Sequence, residues 1–297
     1  MNLRDLRYLL ALVETRHFGN AAKQCHVSQP TLSGQIQKLE DELGVALFER
    51  SNRHVSVTDV GAQVARLARQ ILTKESEIRE LAMSARDPFS GTLRLGAFPT
   101  LAPYLFPAIV QRVTRKFTAL RLVLIEEKTE SLIQQLRDGV IDAALLALPV
   151  EETFTDSEFL FEDPFFLAVP ERHPLADLER VGFDEPTNFQ LLLLEEGHCL
   201  RDQSLPLCKS LGMREHQDLR GTSLETLRQM VRAGSGITVI PRSACGPPTD
   251  GVRYIPFSEP GAVRSIGLFW RKTSPRETLF RAIAALAKPA WLPHCDD

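Results

Sequence analysis

Residues 25–44 read CHVSQPTLSGQIQKLEDELG, and this segment specifies how the N-terminal part of the chain folds. Ser28 is a favourable N-cap residue, and Pro30 falls in the first helical turn, where its missing N–H costs nothing. An apolar stripe at helical spacing follows and predicts a helix that ends at Gly44. The stripe consists of Leu32, Ile36, Leu39 and Leu43.

Two shorter helices are predicted before this segment, one over residues 3–15 and one that begins at Phe18 and ends near Cys25. Short helices joined by a tight turn, with a polar N-terminus on the later helix, are typical of a helix-turn-helix. After the third helix, Val55 and Val57 alternate with a serine, which predicts a small hairpin or wing. We therefore expect an all-α winged helix-turn-helix head.

The N-terminal end of the third helix would face the major groove of DNA. Gln, Ser and Thr side chains can both donate and accept hydrogen bonds, which suits base edges, and basic side chains suit phosphates. The candidate DNA-binding residues are Ser28, Gln29, Pro30, Thr31, Ser33, Gln35, Lys38, Arg50 and Arg53.

A long helix is predicted after Thr58, which is a suitable cap, and it ends before Asp87 and Pro88. Its apolar residues are spaced by four, three, four, seven and three positions, with Lys74 in the one polar slot. They are Val60, Val64, Leu67, Ile71, Ile78 and Leu81. This heptad seam predicts a paired, dimerising linker helix, with packing on its own domain as the alternative.

From Thr92 onward, predicted strands alternate with helices, which indicates an α/β body with a largely parallel sheet and helices on both faces. Its ligand crevice should lie at the carboxyl ends of the strands. The predicted strands cover residues 93–97, 120–126, 143–148, 165–169, 191–194, 237–240, 252–257 and 265–270, and the helices 101–116, 129–138 and 275–287. The expected domains are a head (1–58), a linker helix (59–87) and a regulatory domain (88–297).

The composition is that of a folded globular protein, with 297 residues, 43% hydrophobic, 25% charged and a net charge of −3. Its apolar runs are too short for a membrane helix, and no signal peptide is apparent. We expect a cytoplasmic protein with reduced thiols, in which a cysteine pair suggests redox sensing or metal binding.

Two groups of residues resemble the winged helix-turn-helix of LysR-type transcriptional regulators. They are residues 25–36 with Lys38-Leu39-Glu40 and Leu43-Gly44, and Leu47-Phe48-Glu49-Arg50 with Thr58 and Gly61. The resemblance extends over the full chain. It implies a two-lobed α/β regulatory domain like that of periplasmic binding proteins, and a regulator without enzyme activity or cofactor. It also implies a dimer or dimer of dimers (a homotetramer) on a two-fold related double-stranded DNA operator, with RNA polymerase as a further partner.

A second resemblance involves Gly197-His198-Cys199-Leu200-Arg201-Asp202-Gln203, then Cys208, then residues 222–227. This pattern is similar to the peroxide-sensing OxyR branch of that family, whose members activate oxidative-stress genes. The resemblance implies that Cys199 reacts with hydrogen peroxide and that Cys208 resolves the product as a disulfide. It also implies a peroxide pocket formed by Thr100, Thr129, His198 and Arg264, supported by Asp202.

The residues themselves carry this chemistry in part. A thiolate attacks peroxide, so a sensor cysteine needs a lowered pKa, which His198, Arg201 and Arg264 could provide. The sulfenic acid then condenses with a neighbouring thiol. If one helix joined Cys199 and Cys208, their Cα atoms would lie about 13 Å apart along its axis, whereas a disulfide tolerates about 7 Å.

Either residues 200–207 already form a turn, or disulfide formation must unfold them, and Pro206 disfavours a regular helix there. We therefore expect a two-state segment whose oxidation rotates the paired regulatory domains.

Three alternatives stay open at this point. The same architecture could bind a metabolite through Thr100 and Thr129, or the chain could be a thiol peroxidase with a DNA-binding module. A metal site of His198, Cys199, Cys208 and His216 is a third possibility, although the spacing does not match a structural zinc site, and we expect no metal. Cys25 and Cys245 are expected to be small core residues.

Overall fold

The computed structural model describes residues 1–50, 55–84, 87–182, 189–210, 214–247, 249–258 and 262–287. The chain divides into two units. The first contains Met1–Ala82 and Asp138–Val140, and the second contains Met83–Arg137 and Ile141–Asp297. Among the described residues, every helix is too short or too polar to cross a membrane.

The first unit has the predicted helical head. Its elements are α1 (Leu3–Thr15), α2 (Phe18–Gln24), α3 (Gln29–Leu43), β1 (Phe48–Arg50), β2 (Val55–Val57) and α4 (Asp59–Ser84), with β1 and β2 antiparallel. The Ser28 hydroxyl accepts the backbone N–H of Thr31 at 3.3 Å, and Gly44 ends α3 with a φ of +70°. Thr58 caps α4 by accepting the N–H of Gly61 at 2.9 Å. The caps predicted from the sequence are confirmed.

Two close contacts join the wing to the helices of the head. The Glu40 carboxylate accepts the backbone N–H groups of Leu47 and Phe48 at 2.8 and 3.1 Å. A Cβ atom at Gly61 would lie 2.1 Å from the Leu47 carbonyl oxygen. Only glycine therefore allows the first turn of α4 to approach the wing so closely.

The second unit alternates strands and helices. In chain order its elements are β3 (Gly91–Ala97), α5 (Ala102–Lys116), β4 (Leu120–Glu126), α6 (Thr129–Arg137), β5 (Ala143–Ala147), β6 (Thr155–Pro170), β7 (Gln190–Leu194), α7 (Cys199–Ser210), β8 (Arg214–Gly221), α8 (Leu224–Arg232), β9 (Thr238–Pro241), a 3-10 turn (Arg242–Ala244), β10 (Val252–Pro256), β11 (Val263–Arg271) and α9 (Glu277–Leu286).

The main sheet has the order β10-β6-β11-β5-β3-β4, with β9 also paired to β6. β3 pairs in parallel with β4 and β5, as expected for strands joined by crossover helices. β11, however, runs antiparallel to both β5 and β6, and β6 runs antiparallel to β9 and β10. The prediction of a largely parallel sheet is therefore wrong. The sheet is mixed because the two long strands β6 and β11 pair antiparallel with strands that are distant in sequence.

The second unit has two hydrophobic cores, and β6 contributes to both. One core is formed mainly by β3, β5, α5, α6 and α9, and the other by β7, α8, β9 and β10. This division into two lobes confirms the predicted architecture. Three features were not predicted from the sequence, namely β8, the first half of β6, and α8. For α8 a signal was present, because Ser223 followed by Leu224, Leu227 and Val231 is a recognisable capped helix pattern.

Candidate functional site

The N-terminal end of α3 presents polar side chains to solvent. Ser28, Gln29, Pro30, Thr31 and Lys38 are exposed, and Ser33 and Gln35 are half-buried. On the other face of the same helix, Leu32, Ile36 and Leu39 are buried in the core of the head. Of the two remaining candidates, Arg50 lies in β1, with its side chain outside the described part of the structure, and Arg53 lies outside the described residues.

The seam predicted on α4 is exposed in the single chain. Five of its apolar side chains are between 42% and 69% exposed, namely Val60, Leu67, Ile71, Ile78 and Leu81. Val64 is half-buried against the core of the head, and Ala65 and Ala68 are buried. The head therefore packs mainly on a different side of α4 and leaves five of the six seam side chains exposed, contrary to the alternative that the seam packs on its own domain.

The candidate peroxide-pocket residues come from separate elements of the second unit. Thr100 follows β3, Thr129 is the first residue of α6 after β4, and Cys199 is the first residue of α7 after β7. These three positions follow the carboxyl ends of parallel strands, where the ligand crevice was expected. Arg264 reaches the group from β11, where its backbone is paired with that of Asp163 on β6.

Cys199 is a half-buried free thiol between the two cores. It packs against the core of the first lobe, and the next residue, Leu200, is buried in the core of the second. Burial raises the pKa of the Cys199 thiol above its ordinary value of 9.0, and the charge of Asp202 acts in the same direction. Arg264, the Thr129 hydroxyl and the backbone N–H of Leu200 lower this pKa, in that order, but do not outweigh burial.

The expected lowering of the thiol pKa is therefore wrong for the resting protein. Arg264 does act on Cys199, but His198 and Arg201 do not supply the expected positive charge. His198 is buried, and burial, followed by the charge of Lys128, lowers its pKa so that it is neutral at pH 7. Arg201 forms a bidentate ion pair with Glu215, at 2.9 and 3.1 Å, and donates a hydrogen bond to the Leu194 carbonyl at 3.0 Å.

Thr129 has a buried side-chain oxygen close enough to Cys199 to stabilise its thiolate. Within the described chain, no atom lies at normal hydrogen-bonding geometry to this oxygen. A buried hydroxyl without such a partner costs about 1–3 kcal/mol. The hydroxyl beside the sulfur is therefore available to a small polar molecule. Asp202, by contrast, is exposed, and its negative charge raises the Cys199 thiol pKa.

Arg264 is fully buried in a polar network that the sequence analysis did not find. Its Nε and Nη2 donate to one carboxylate oxygen of Asp163 at 3.0 and 2.9 Å, and its Nη1 donates to the Thr100 hydroxyl at 3.0 Å. Ser243 donates its backbone N–H and its hydroxyl to the same carboxylate at 2.9 and 2.7 Å. The available signal was the adjacent pair Glu162 and Asp163 inside the otherwise apolar run of residues 159–169, because a buried charge needs a partner.

α7 is a continuous helix from Cys199 to Ser210, so it contains both cysteines of the predicted pair. Nine residues of helix separate their Cα atoms by about 13 Å along the axis, which exceeds the limit of about 7 Å for a disulfide. Pro206 was expected to disfavour a regular helix here, but helical backbone extends past it. The side chain of Cys208 is outside the described part of the structure.

Two further cysteines, Cys25 and Cys245, lie outside the predicted pair, and the described residues do not support a metal site. Cys25 packs against the core of the head, as expected, and Cys245 is a half-buried free thiol, whereas Cys295 lies outside the described residues. Among the described residues, no cluster of three or more metal-binding side chains occurs. Two of the four residues considered for a metal site, Cys208 and His216, have side chains that are not described.

Two family models match the sequence. The bacterial regulatory helix-turn-helix protein model of the lysR family matches residues 3–62, and the LysR substrate binding domain model matches residues 86–291. The chain is 44% identical over 298 residues to the DNA-binding transcriptional dual regulator OxyR of Escherichia coli K12, covering 100% of this chain and 98% of the relative. It is 39% identical over 289 residues to a probable hydrogen peroxide-inducible genes activator of Mycobacterium leprae, covering 96% and 92%.

Solved structures agree with these matches. A full-length OxyR variant from Pseudomonas aeruginosa superimposes with a TM-score of 0.77 at 37% identity, covering 97% of this chain and 94% of that chain. An OxyR cysteine mutant from Corynebacterium glutamicum with hydrogen peroxide bound gives a TM-score of 0.65 at 34% identity, covering 97% and 91%.

Proposed function

This chain belongs to the LysR family of bacterial transcription regulators, and we propose that it is an OxyR-like member that responds to hydrogen peroxide through Cys199. It is a DNA-binding regulator rather than an enzyme, and it self-associates. The relatives named for hydrogen peroxide, and the similar structure that contains it, support peroxide as the signal.

In this proposal, the exposed end of α3 reads the operator. Gln29, Thr31, Ser33 and Gln35 contact base edges, and Ser28 and Pro30 set the geometry of the first turn. Lys38, Arg50 and Arg53 contact phosphates. The exposed seam of α4 pairs with the same seam of a second chain, because apolar side chains at heptad spacing are stable only when they are covered. A two-fold related DNA site follows from that symmetry.

Hydrogen peroxide would bind beside Cys199, where the Thr129 hydroxyl has no well-formed hydrogen bond to any described residue and Arg264 provides a positive charge. The sulfur attacks one peroxide oxygen, the O–O bond breaks, and the thiol proton ends on the departing oxygen as water. Thr100 orients Arg264, and His198 stays neutral beside the thiol. Asp202 is exposed to solvent, and its negative charge helps to keep the Cys199 thiol protonated.

The resulting sulfenic acid would then condense with the Cys208 thiol, releasing a second water and forming a disulfide. The observation that carries this proposal is the helical backbone of α7 from Cys199 to Cys208. Because a disulfide cannot bridge that distance, the helix must unfold when the bond forms. Unfolding removes Leu200 from the second core, and this change would be transmitted to the paired regulatory domains, the DNA-reading heads and RNA polymerase.

Mass spectrometry of thiols tests the proposal. The full-length protein is treated briefly with hydrogen peroxide, alkylated and digested. We expect a Cys199–Cys208 crosslink, together with a changed DNA footprint. Cys199→Ser should abolish both. Cys245→Ser is the matched control, because Cys245 is also a half-buried free thiol of the second unit, and it should leave both intact.

A footprint that still responds to peroxide in the Cys199→Ser protein would contradict the proposal. The same variant separates the metabolite-binding alternative, in which the response would not depend on this sulfur. A thiol peroxidase would instead turn over peroxide continuously in the presence of a reductant, whereas the proposed regulator reacts once and stays oxidised until it is reduced.

A further inference from the structure

Arg264 lies in a hydrogen-bonded network with polar side chains from three elements besides its own strand, β11. Asp163 comes from β6, Ser243 from the 3-10 turn after β9, and Thr100 from the loop after β3. All four side chains are buried, and the Asp163 and Arg264 side chains have no exposed surface. A charge pair this deep is stable only when geometry and hydrogen bonds are satisfied, so this network holds the guanidinium in one orientation.

The Arg264 guanidinium has one more N–H donor than the hydrogen bonds assigned to it below. A guanidinium carries five N–H hydrogens, one on Nε and two on each terminal nitrogen. Nε–H and one Nη2–H go to Asp163, and the second Nη2–H goes to the Thr100 carbonyl at 3.1 Å. Nη2 also makes a longer contact of 3.4 Å with the Ser243 hydroxyl, which shares one of these two hydrogens. One Nη1–H goes to the Thr100 hydroxyl. In the described part of the chain, the Thr100 hydroxyl is the acceptor bonded to Nη1, so by this count the second Nη1–H is left over, although the side chain is fully buried.

The carboxylate of Asp163 is itself held in place. Ser243 donates its backbone N–H to one carboxylate oxygen at 2.9 Å and its hydroxyl to the other at 2.7 Å, and that second oxygen is the one that accepts from Arg264. The Phe98 ring covers a face of the guanidinium, with its centroid 5.2 Å from Cζ. Rotation of the guanidinium would therefore break several contacts at once.

We propose that Asp163 and Ser243 are positioning residues for the peroxide reaction, which act by fixing Arg264 so that its remaining Nη1 hydrogen is available to peroxide beside Cys199. This inference rests on the proposed function. The sulfur of Cys199 forms a bond to one peroxide oxygen as the O–O bond breaks, and Arg264 donates its spare N–H to the departing oxygen, which takes up the thiol proton as water. Sulfur loses two electrons and peroxide gains them.

A second consequence concerns charge. The Asp163 carboxylate neutralises most of the Arg264 charge, so less of it reaches the sulfur. Removal of the carboxylate charge should therefore increase the thiolate fraction of Cys199, while loss of orientation should slow the reaction of each thiolate with peroxide. A residue that only stabilises the fold would not move these two quantities in opposite directions.

The test uses Asp163→Asn in the full-length protein, with Asp156→Asn as the matched control. Asp156 is an exposed carboxylate on the same strand, β6, and should behave as the wild type. The pH profile of Cys199 alkylation by iodoacetamide gives the thiol pKa and the thiolate fraction. Stopped-flow oxidation gives the rate constant with peroxide. For Asp163→Asn we expect a lower thiol pKa and a rate constant per thiolate reduced by about 10- to 100-fold.

Ser243→Ala is the second variant, because Asp163→Asn leaves a buried arginine without its counter-charge and can fail to fold. Ser243→Ala keeps both charges and removes the hydroxyl that donates to Asp163 at 2.7 Å and accepts a longer bond from Arg264 Nη2 at 3.4 Å. We therefore expect an unchanged thiol pKa and a rate constant reduced about threefold. If Asp163→Asn is unfolded by circular dichroism, Ser243→Ala decides alone.

Rate constants per thiolate within twofold of the wild type in the folded variants would overturn the positioning role while leaving the proposed function intact. A wild-type Cys199 that does not react with peroxide would overturn both.

Discussion

α3 and α7 are helices of similar length that are held in place in different ways. α3 begins at a serine cap, ends at a glycine, and buries Leu32, Ile36 and Leu39 almost completely. Of the described side chains of α7, the buried ones are Leu200, Arg201 and Ser204, so two of three are polar. α7 also contains a proline, which leaves one helical carbonyl without its N–H donor.

This contrast indicates that α3 stays folded in both redox states, whereas α7 can unfold when its cysteines are oxidised. α3 depends on apolar burial, which operates in any redox state. α7 depends on an ion pair between Arg201 and Glu215, and the side-chain oxygen of Gln203 is buried with no hydrogen-bond partner in the described part of the chain. Among its described side chains, α7 buries only Leu200 as a fully apolar contact. A helix with few apolar contacts opens at low free-energy cost, which is what a disulfide between its two ends would require.

The largest expected effect is on α3. Ile36→Ala removes a fully buried side chain and leaves a cavity, so it should destabilise the head by about 2–5 kcal/mol. Urea unfolding followed by circular dichroism measures the change. Val45→Ala, at an exposed apolar position of the same unit, is the control and should shift the midpoint little. Equal shifts for the two variants would mean that the core of the head does not hold α3.

Pro206→Ala tests α7 from the opposite direction. Replacement of a helix-interior proline restores an N–H donor, and the gain reaches about 3 kcal/mol in a favourable case. The variant should therefore form the Cys199–Cys208 crosslink more slowly after peroxide treatment. Pro103→Ala is the control, because Pro103 lies in the first turn of α5, where proline is tolerated. Crosslinking at the wild-type rate would show that α7 does not need to open.

The sequence predicted α3 and α4 with their caps because these signals are local. It also brought Thr100, Thr129 and Arg264 together, but only through the family resemblance. It did not reveal Asp163 as the partner of Arg264, because the two lie on antiparallel strands about a hundred residues apart.

The direction of the Cys199 pKa shift could not be predicted from the sequence either. It is a balance between burial and neighbouring charges, and the sequence names the neighbours without giving their burial. Arg201 was misjudged for the same reason, since its pairing with Glu215 depends on how β8 packs beside α7.

Gln29→Ala tests the exposed end of α3 without changing its core. If Gln29 contacts a base edge, specific binding should weaken by about 1–3 kcal/mol, with a much smaller loss on unrelated DNA. Fluorescence anisotropy with a fragment selected from a random library measures both affinities. Gln37→Ala, also exposed on α3 but two turns further along, is the control. Equal losses on both DNAs would argue against base reading by Gln29.

Arg201→Gln should loosen α7 and leave α3 unchanged. The ion pair with Glu215 joins a buried guanidinium to a partly exposed carboxylate, so its removal should cost about 1–2 kcal/mol after allowance for solvent screening. Hydrogen exchange of the α7 amides should accelerate about tenfold. Arg281→Gln removes exposed ion pairs on α9 and is the matched control. Unchanged exchange in α7 would show that other contacts hold this helix.

The smallest effect is the pH dependence that Cys199 contributes to stability. Because burial raises the thiol pKa in the folded protein, both folded and unfolded chains hold this proton below the ordinary value of 9.0, and the thiol then adds no pH dependence. Above pH 9.0 the unfolded chain loses its proton first, so stability falls by up to about 1.4 kcal/mol per pH unit until the folded thiol also ionises.

Cys199→Ser isolates this slope, because every other titrating group is shared with the wild type. Urea unfolding of the reduced proteins between pH 7 and pH 10 should give a constant difference up to pH 9, followed by a relative loss in the wild type. A relative gain in the stability of the wild type between pH 7 and pH 8.5 would mean that the resting thiol has a lowered pKa. α7 would then begin at a thiolate, and burial would not be what keeps the sulfur protonated until peroxide binds.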